Sequence, residues 1–205
     1  MRLIHSLLGC VVAVGLVSVP APVAAQATGT TTFNAPYRAF TRSEIGVLLS
    51  FPDGGGTAIE GAYRMAGGRF DFGFKAGFFD PPGPGHTELL LGAEARQRVI
   101  THTVDFPLDG ALLLGVGGNL VSGSAVMVIP AGLSLGRRID PQGSTVSIVP
   151  YVEPTVFLLA GNATDHVQFS LGLGADFRLS RVFDARVSAG LGDVEGVSIG
   201  AMWVH

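Results

Sequence analysis

The chain is poor in the residues on which disulfide scaffolds and most metal or thiol chemistry rest. Its 205 residues include one cysteine, Cys10, and one tryptophan, Trp203, and only 14% are charged. Cys10 lies inside an N-terminal apolar run, so a chain processed past that run has no thiol for a disulfide, a nucleophile or a metal site. No Cys/His spacing suits a metal, and no glycine-rich loop suits a phosphate, so no metal and no cofactor is expected. A net charge of −3 without a basic patch argues against nucleic acid as a partner. After residue 27 no apolar run approaches the roughly 20 residues a membrane-crossing helix needs. Yet 47% of the residues are hydrophobic, which is hard to reconcile with an ordinary soluble protein lacking helical periods.

The apolar run itself is explained by export. Met1-Arg2 is followed by apolar residues from Leu7 to Val19 and then by Pro20-Ala21-Pro22-Val23-Ala24-Ala25-Gln26-Ala27. A basic start, an apolar middle and a small-residue end make a secretory signal peptide, with cleavage expected after Ala25 or Ala27. Leu7-Leu8-Gly9-Cys10 loosely matches a lipoprotein processing site, but the apolar run continues past the cysteine. The expected organisation is a signal peptide over 1–27, a periplasmic lead-in over 28–43 and one β domain over 44–205.

The β assignment rests on alternation. From Val167 to Leu179 every second residue is apolar, with Gln168, Ser170, Gly172, Gly174, Asp176 and Arg178 between. Successive side chains of a strand point to opposite faces, so this segment has one greasy and one polar face. The same reading predicts strands over 44–51, 57–65, 69–78, 86–96, 104–116, 125–136, 145–159, 167–179, 184–191 and 197–204, separated by Gly/Pro/Asp turns. The expected fold is all-β: a closed antiparallel up-and-down transmembrane β-barrel of about ten strands, or eight if one pair is misread. Pro150 and Pro154 in the seventh strand remove ladder donors and predict a bend or a split there.

The polar faces collect Glu44, Glu60, Arg64, Arg69, Asp71, Lys75, Glu88, Glu94, Arg96, Asp105, Asp109, Glu153, Asp176, Arg178, Asp184 and Arg186, while the apolar faces carry almost no charge. Lipid exposure accounts for that sorting, because Lys or Arg at the bilayer midplane costs about 2–4 kcal/mol. Inside a narrow barrel, charges of both signs are expected to pair across the sheet as a structural network, because opposite charges recur on one face of neighbouring strands: Glu60 and Arg64 on the second, Asp71 and Lys75 on the third, Glu94 and Arg96 on the fourth. A selectivity lining would need a wider lumen. Aromatic residues fall near both rims: Phe51, Phe78 and Phe79 at one, and Phe106, Phe177, Phe183 and Trp203 at the other.

The export signal, the ten alternating runs and a last segment, Val197-Ser198-Ile199-Gly200-Ala201-Met202-Trp203-Val204-His205, alternating to the chain end together resemble the small outer-membrane β-barrel proteins of Gram-negative-type bacteria. The resemblance implies residence in outer-membrane lipid and delivery by the barrel-assembly machinery, which reads a terminal strand ending in an aromatic residue. Here Trp203 stands two positions before the final His205 and is the candidate assembly signal. The expected function is non-catalytic, structural or surface-interacting, with no catalytic residues. The alternative is a small pore or transporter for small or hydrophobic solutes. Omptin-type protease chemistry would draw on rim residues such as Asp80, His86, Asp165, His166 and Asp193, which lack a matching motif, and lipid A remodelling lacks a membrane-facing histidine apart from His205. Oligomeric state is not legible.

Overall fold

The computed structural model describes residues 27–36, 40–121, 124–161 and 166–205. Residues 1–26, where the export signal is expected, and 162–165, with Asp165 and the Asn162-Ala163-Thr164 triplet, lie outside them. The described chain forms ten strands: β1 Glu44–Pro52, β2 Thr57–Gly67, β3 Phe70–Asp80, β4 Glu88–Ile100, β5 Asp109–Val121, β6 Ser124–Gly136, β7 Ser147–Gly161, β8 His166–Arg178, β9 Phe183–Gly192 and β10 Gly196–Val204. Each pairs antiparallel with its sequence neighbours, and β1 pairs with β10 from Glu44↔Val204 to Pro52↔Gly196, which closes the barrel and leaves no open edge. The end where the sheet begins at Glu44 and finishes at Val204 is the terminal rim, and the opposite end is the far rim.

The two faces separate as the alternation requires. In β3 the exposed positions are Phe70, Phe72, Phe74, Ala76 and Phe78, and Asp71, Gly73, Lys75 and Gly77 between them are buried. Phe74 and Phe78 expose more than half their surface (53% and 55%), as do Leu114 and Val167 on other strands. A soluble protein rarely exposes a continuous apolar band of this kind. Among the strand residues every Asp, Glu, Lys and Arg stands on the inward face except Asp80, at the far-rim end of β3. These features define a closed transmembrane-type β-barrel of ten strands.

Several boundaries differ from those the sequence predicts, each for a local reason. The fifth strand starts at Asp109 rather than Val104, because Thr103 and Phe106 close a turn on each other and Asp109 accepts hydrogen bonds from His102 N and Arg98 Nη2. That fixes 101–108 as a loop. Gly117 and Gly118 stay in β5, paired with Val128 and Met127, where the sequence predicts a loop. The prolines interrupt pairing without splitting strands. The β5–β6 ladder skips residues 115–116 opposite 129–130, at Pro130, and the β6–β7 ladder skips 133–134 opposite 153–154, at Pro154.

The largest departure concerns the stretch expected to hang outside as a periplasmic lead-in. Its described part, 27–36, runs inside the barrel, with Ala27, Thr28, Phe33 and Ala35 all buried, and Phe40 is buried at the terminal rim. A narrow lumen with a charged wall has unmet polar groups, and an extended polar segment supplies partners for them. Replacing the outward Phe74 with Arg is expected to lower the barrel's stability in lipid vesicles by about 2–4 kcal/mol, whereas Phe74→Leu changes it little. Urea unfolding followed by heat-modifiable gel migration measures this, and equal behaviour of the two variants would remove the lipid-facing assignment.

Candidate functional site

The lumen is the chemically dense part of the molecule, and its two sides differ. On the side of β1–β4 and β9, guanidinium and carboxylate groups interlock. Arg64 of β2 pairs with Asp71 of β3 and Glu94 of β4, and its Nε lies 3.7 Å from Glu44 of β1. Arg96 of β4 grips both oxygens of Asp71, with Nε at 3.1 Å from each and Nη2 at 2.7 Å from Oδ2. Arg186 of β9 reaches Glu44 at 2.8 Å and Asp176 of β8 at 3.3 Å. Glu44 therefore bridges Arg64 and Arg186, and the pairs form one network across the lumen. The planar guanidinium suits this role because its fork of donors serves two carboxylates at once.

On the side of β6 and β7 the inner wall is apolar. Val128, Val149, Tyr151, Phe157 and Leu159 form a cluster with Val194 of the β9–β10 turn, and Phe33 and Ala35 of the N-terminal segment complete it. The alternation of β6 and β7 is blurred for that reason: both faces of these strands are greasy, one toward lipid and one toward the segment. Phe33 fits because β8 carries glycine where it approaches. A β-carbon at Gly172 would collide with the Phe33 ring, and one at Gly117 would collide with the carbonyl of Ala27.

The segment 27–36 joins the two sides. Thr30 Oγ1 donates to Glu60 Oε2 at 2.7 Å, and Lys75 Nζ donates to the Thr32 carbonyl and hydroxyl at 3.1 and 2.6 Å. Asn34 N donates to Glu153 Oε2 at 3.3 Å, and its side-chain oxygen accepts from Arg186 at 3.4 Å. The segment's carbonyls are used too: Phe33 O accepts from Tyr151 OH (2.8 Å), Asn34 O from Ser134 Oγ (2.6 Å), Ala35 O from Arg96 (2.8 Å) and Thr31 O from Ser188 Oγ (2.7 Å). The void left between Asn34, Leu48, Arg64, Lys75, Arg186 and Met202 is about 10 Å³, room for about one water.

Of the residues singled out in the sequence, the structure brings Glu44, Arg64, Asp71, Glu94, Arg96, Asp176 and Arg186 into one network. Glu60, Lys75 and Glu153 face the N-terminal segment and meet Thr30, Thr32 and Asn34. Glu94 of β4 meets Arg64 of β2 across β3. Glu88 is half-buried at the far rim, where Asn119 Nδ2 donates to it at 3.3 Å, and Arg178 is half-buried at the terminal rim, opposite Asp184 and Ser147 in register. Arg69 and Asp105 are exposed in connections, outside the lumen. Trp203 is 54% exposed on the outer wall, level with Ile45 and Phe183, and His205 stacks on Tyr63.

The rims differ in charge. Among the described residues the far rim carries Asp53, Asp80, Glu88, Asp193 and Glu195 and no Lys or Arg. Asp193 is engaged in its turn, accepting from Phe169 N at 2.8 Å, while Asp80 and His86 are exposed and form no ion pair. The terminal rim carries Arg42, Arg69, Arg98, Arg137, Arg138, Arg178 and Arg181. Two local constellations there went unread in the sequence. His102 Nδ1 lies 2.7 Å from Asp109, whose carboxylate also holds Arg98, which ties the 101–108 loop to β5. The exposed Asp140 has its carboxyl held below the ordinary range by the Ser147 hydroxyl and by Arg138. The lumen segment itself was also missed, although Thr28, Thr30, Thr31, Thr32 and Asn34 form a run of short uncharged hydrogen-bonding residues suited to filling a polar channel.

Removing the hub of the network has a definite consequence. Arg64→Met leaves Asp71, Glu94 and Glu44 short of a cation in a dry space and is expected to cost about 3–5 kcal/mol. Arg64→Met with Glu94→Leu is expected to be less harmful than the single change. Thermal or urea unfolding of the detergent-folded barrel distinguishes this coupling from simple additivity.

No family model matches this chain, and no similar protein was found among curated ones. Among solved structures it is similar to a de novo designed transmembrane β-barrel, at 14% identity and a TM-score of 0.41 over 80% of this chain and 95% of that one. It is also similar to the β-domain of the Bordetella autotransporter BrkA, at 13% identity and a TM-score of 0.42 over 80% of this chain and 97% of that one.

Proposed function

We propose that this is a non-catalytic outer-membrane protein whose lumen is filled by its own N-terminal segment, so that it serves as a structural or surface-presenting barrel rather than a conduit. The observation that carries the reading is the burial of 27–36 between a charged wall and an apolar wall, with hydrogen bonds from both the side chains and the backbone of the segment. A pore needs a continuous water path, and here the axis is occupied by protein. The export signal and the uncharged outer wall support placement in the outer membrane, with both ends of the barrel domain on the periplasmic side.

The proposal includes the absence of enzymatic activity. The lumen hydroxyls of Ser134, Ser188 and Ser198 are spent on carbonyls of the segment, and the His102–Asp109 pair serves to close a loop. Trp203 and the final strand are read as the part recognised during assembly, with outer-membrane lipid and the assembly machinery as the partners. Planar-bilayer recording of the purified mature protein tests the reading. It is expected to insert without a stable unitary conductance, and a steady ohmic pore in every insertion would overturn it in favour of a small-solute channel.

A further inference from the structure

Beyond the filled lumen, the terminal rim holds a cavity of about 530 Å³ bordered by Arg42, Arg138, Arg178 and Arg181, with the hydroxyls of Thr145, Ser147 and Ser180 and the side chain of Leu179. Its setting is unusual in three respects. First, charge is sorted by end, with the arginines gathered at this rim and the far rim acidic among the described residues. Secondly, four guanidinium groups meet two carboxylates here: Asp140, bonded to Arg138 at 2.8 Å, and Asp184, opposite Arg178 in register. Arg42 is held in place by donating to the carbonyls of Arg181 at 2.7 Å and Val204 at 3.4 Å, contacts that leave its charge in the cavity wall. Thirdly, the cavity has an apolar margin next to the outer wall, since Leu179 donates its backbone N–H to the carbonyl of Phe183. Leu179 borders it, and Phe183 and Trp203 lie on the adjoining outer surface, each at least a third exposed.

We infer that this cavity binds the headgroup of an anionic phospholipid of the leaflet at that end, with the phosphate among the arginines and an acyl chain descending over Leu179 and Phe183. Arginine forks match phosphate oxygens two at a time, the Thr145 hydroxyl in the lining is a further donor, and the apolar margin distinguishes a lipid from a soluble anion. A basic cluster at the membrane surface attracts anionic lipid, and a cluster with a cavity adds a defined place for it. The inference rests on the membrane-spanning reading, whose own test is insertion and heat-modifiable migration. A barrel that inserts normally while showing no lipid preference would sink the inference alone.

The experiment is native mass spectrometry of the full mature protein folded in detergent, titrated with dioleoyl phosphatidylglycerol or with dioleoyl phosphatidylcholine at equal concentration. Phosphatidylglycerol adducts are expected to exceed phosphatidylcholine adducts by about tenfold, and to fall toward the phosphatidylcholine level in Arg138→Gln/Arg181→Gln. Arg181 is exposed, so Arg181→Gln alone serves as a second variant less prone to folding effects, with an intermediate loss expected. Equal binding of the two lipids, or an unchanged preference in both variants, overturns the inference. Inorganic phosphate is the competing arm: displacement of phosphatidylglycerol by millimolar phosphate, with phosphate retained on the protein, would assign the cavity to a free anion and overturn the lipid assignment.

Discussion

The outer wall of this barrel meets lipid, and that one constraint governs where everything else goes. A wall that tolerates no charge forces each charged strand residue either to the inner face or to a strand end, as with Asp80. The inner face of a ten-strand barrel is too narrow to hydrate those groups freely, so they must find partners among themselves or on another element. Arg64, Arg96 and Arg186 satisfy one set of carboxylates across neighbouring strands. Lys75, Glu60 and Glu153 are met by Thr32, Thr30 and Asn34. The lumen segment is in this sense a consequence of the lipid-facing wall, because it gives Lys75, Glu60 and Glu153 hydrogen-bond partners inside the barrel.

The segment also accounts for features of the sheet that look irregular in isolation. β6 and β7 are greasy on both faces because Phe33 and Ala35 pack against their inner side. β8 carries Gly172 in the middle of its polar face because the Phe33 ring occupies the space a side chain would fill. Pro130 of β6 and Pro154 of β7 sit at gaps in the ladders on the side of the apolar inner wall, while Pro150 stays paired with Ala175. At the two ends the lipid constraint relaxes, and the described arginines of the rims gather at the terminal one, beside Asp105, Asp109, Asp140 and Asp184, while the far rim carries only carboxylates among its described Asp, Glu, Lys and Arg residues.

Ten strands, their order and their inward and outward faces were legible because alternation with a period of two survives over most of the chain and the turns are marked by Gly, Pro and Asp. The start of β5 was misplaced because Val104 and Phe106 continue an apolar alternation that Asp109, by capturing His102 and Arg98, cuts off. Which charges share the lumen was readable from their face. Which ones touch was not, since the face alone does not say which residues of the other strands stand opposite or where another segment intervenes. That segment was hidden for a simpler reason: an uncharged threonine-rich stretch between an expected export signal and a first strand reads as a linker, and only the closed wall around it shows that the hydroxyls of Thr30 and Thr32 and the carbonyls of Thr31, Phe33, Asn34 and Ala35 have partners.

The central claim is that 27–36 occupies the barrel interior, and thiol accessibility tests it most directly. Cys10 is the single cysteine of the sequence, so Thr31→Cys placed in a Cys10→Ser background is an unambiguous probe at a position 1% exposed. The account predicts that a bulky maleimide labels the Thr31→Cys variant only after the folded barrel is heat-unfolded, while a Ser144→Cys variant, with its thiol in the exposed 137–146 loop, reacts at once. Labelling of the folded Thr31→Cys barrel as fast as the folded Ser144→Cys barrel would contradict it and return the lumen to solvent.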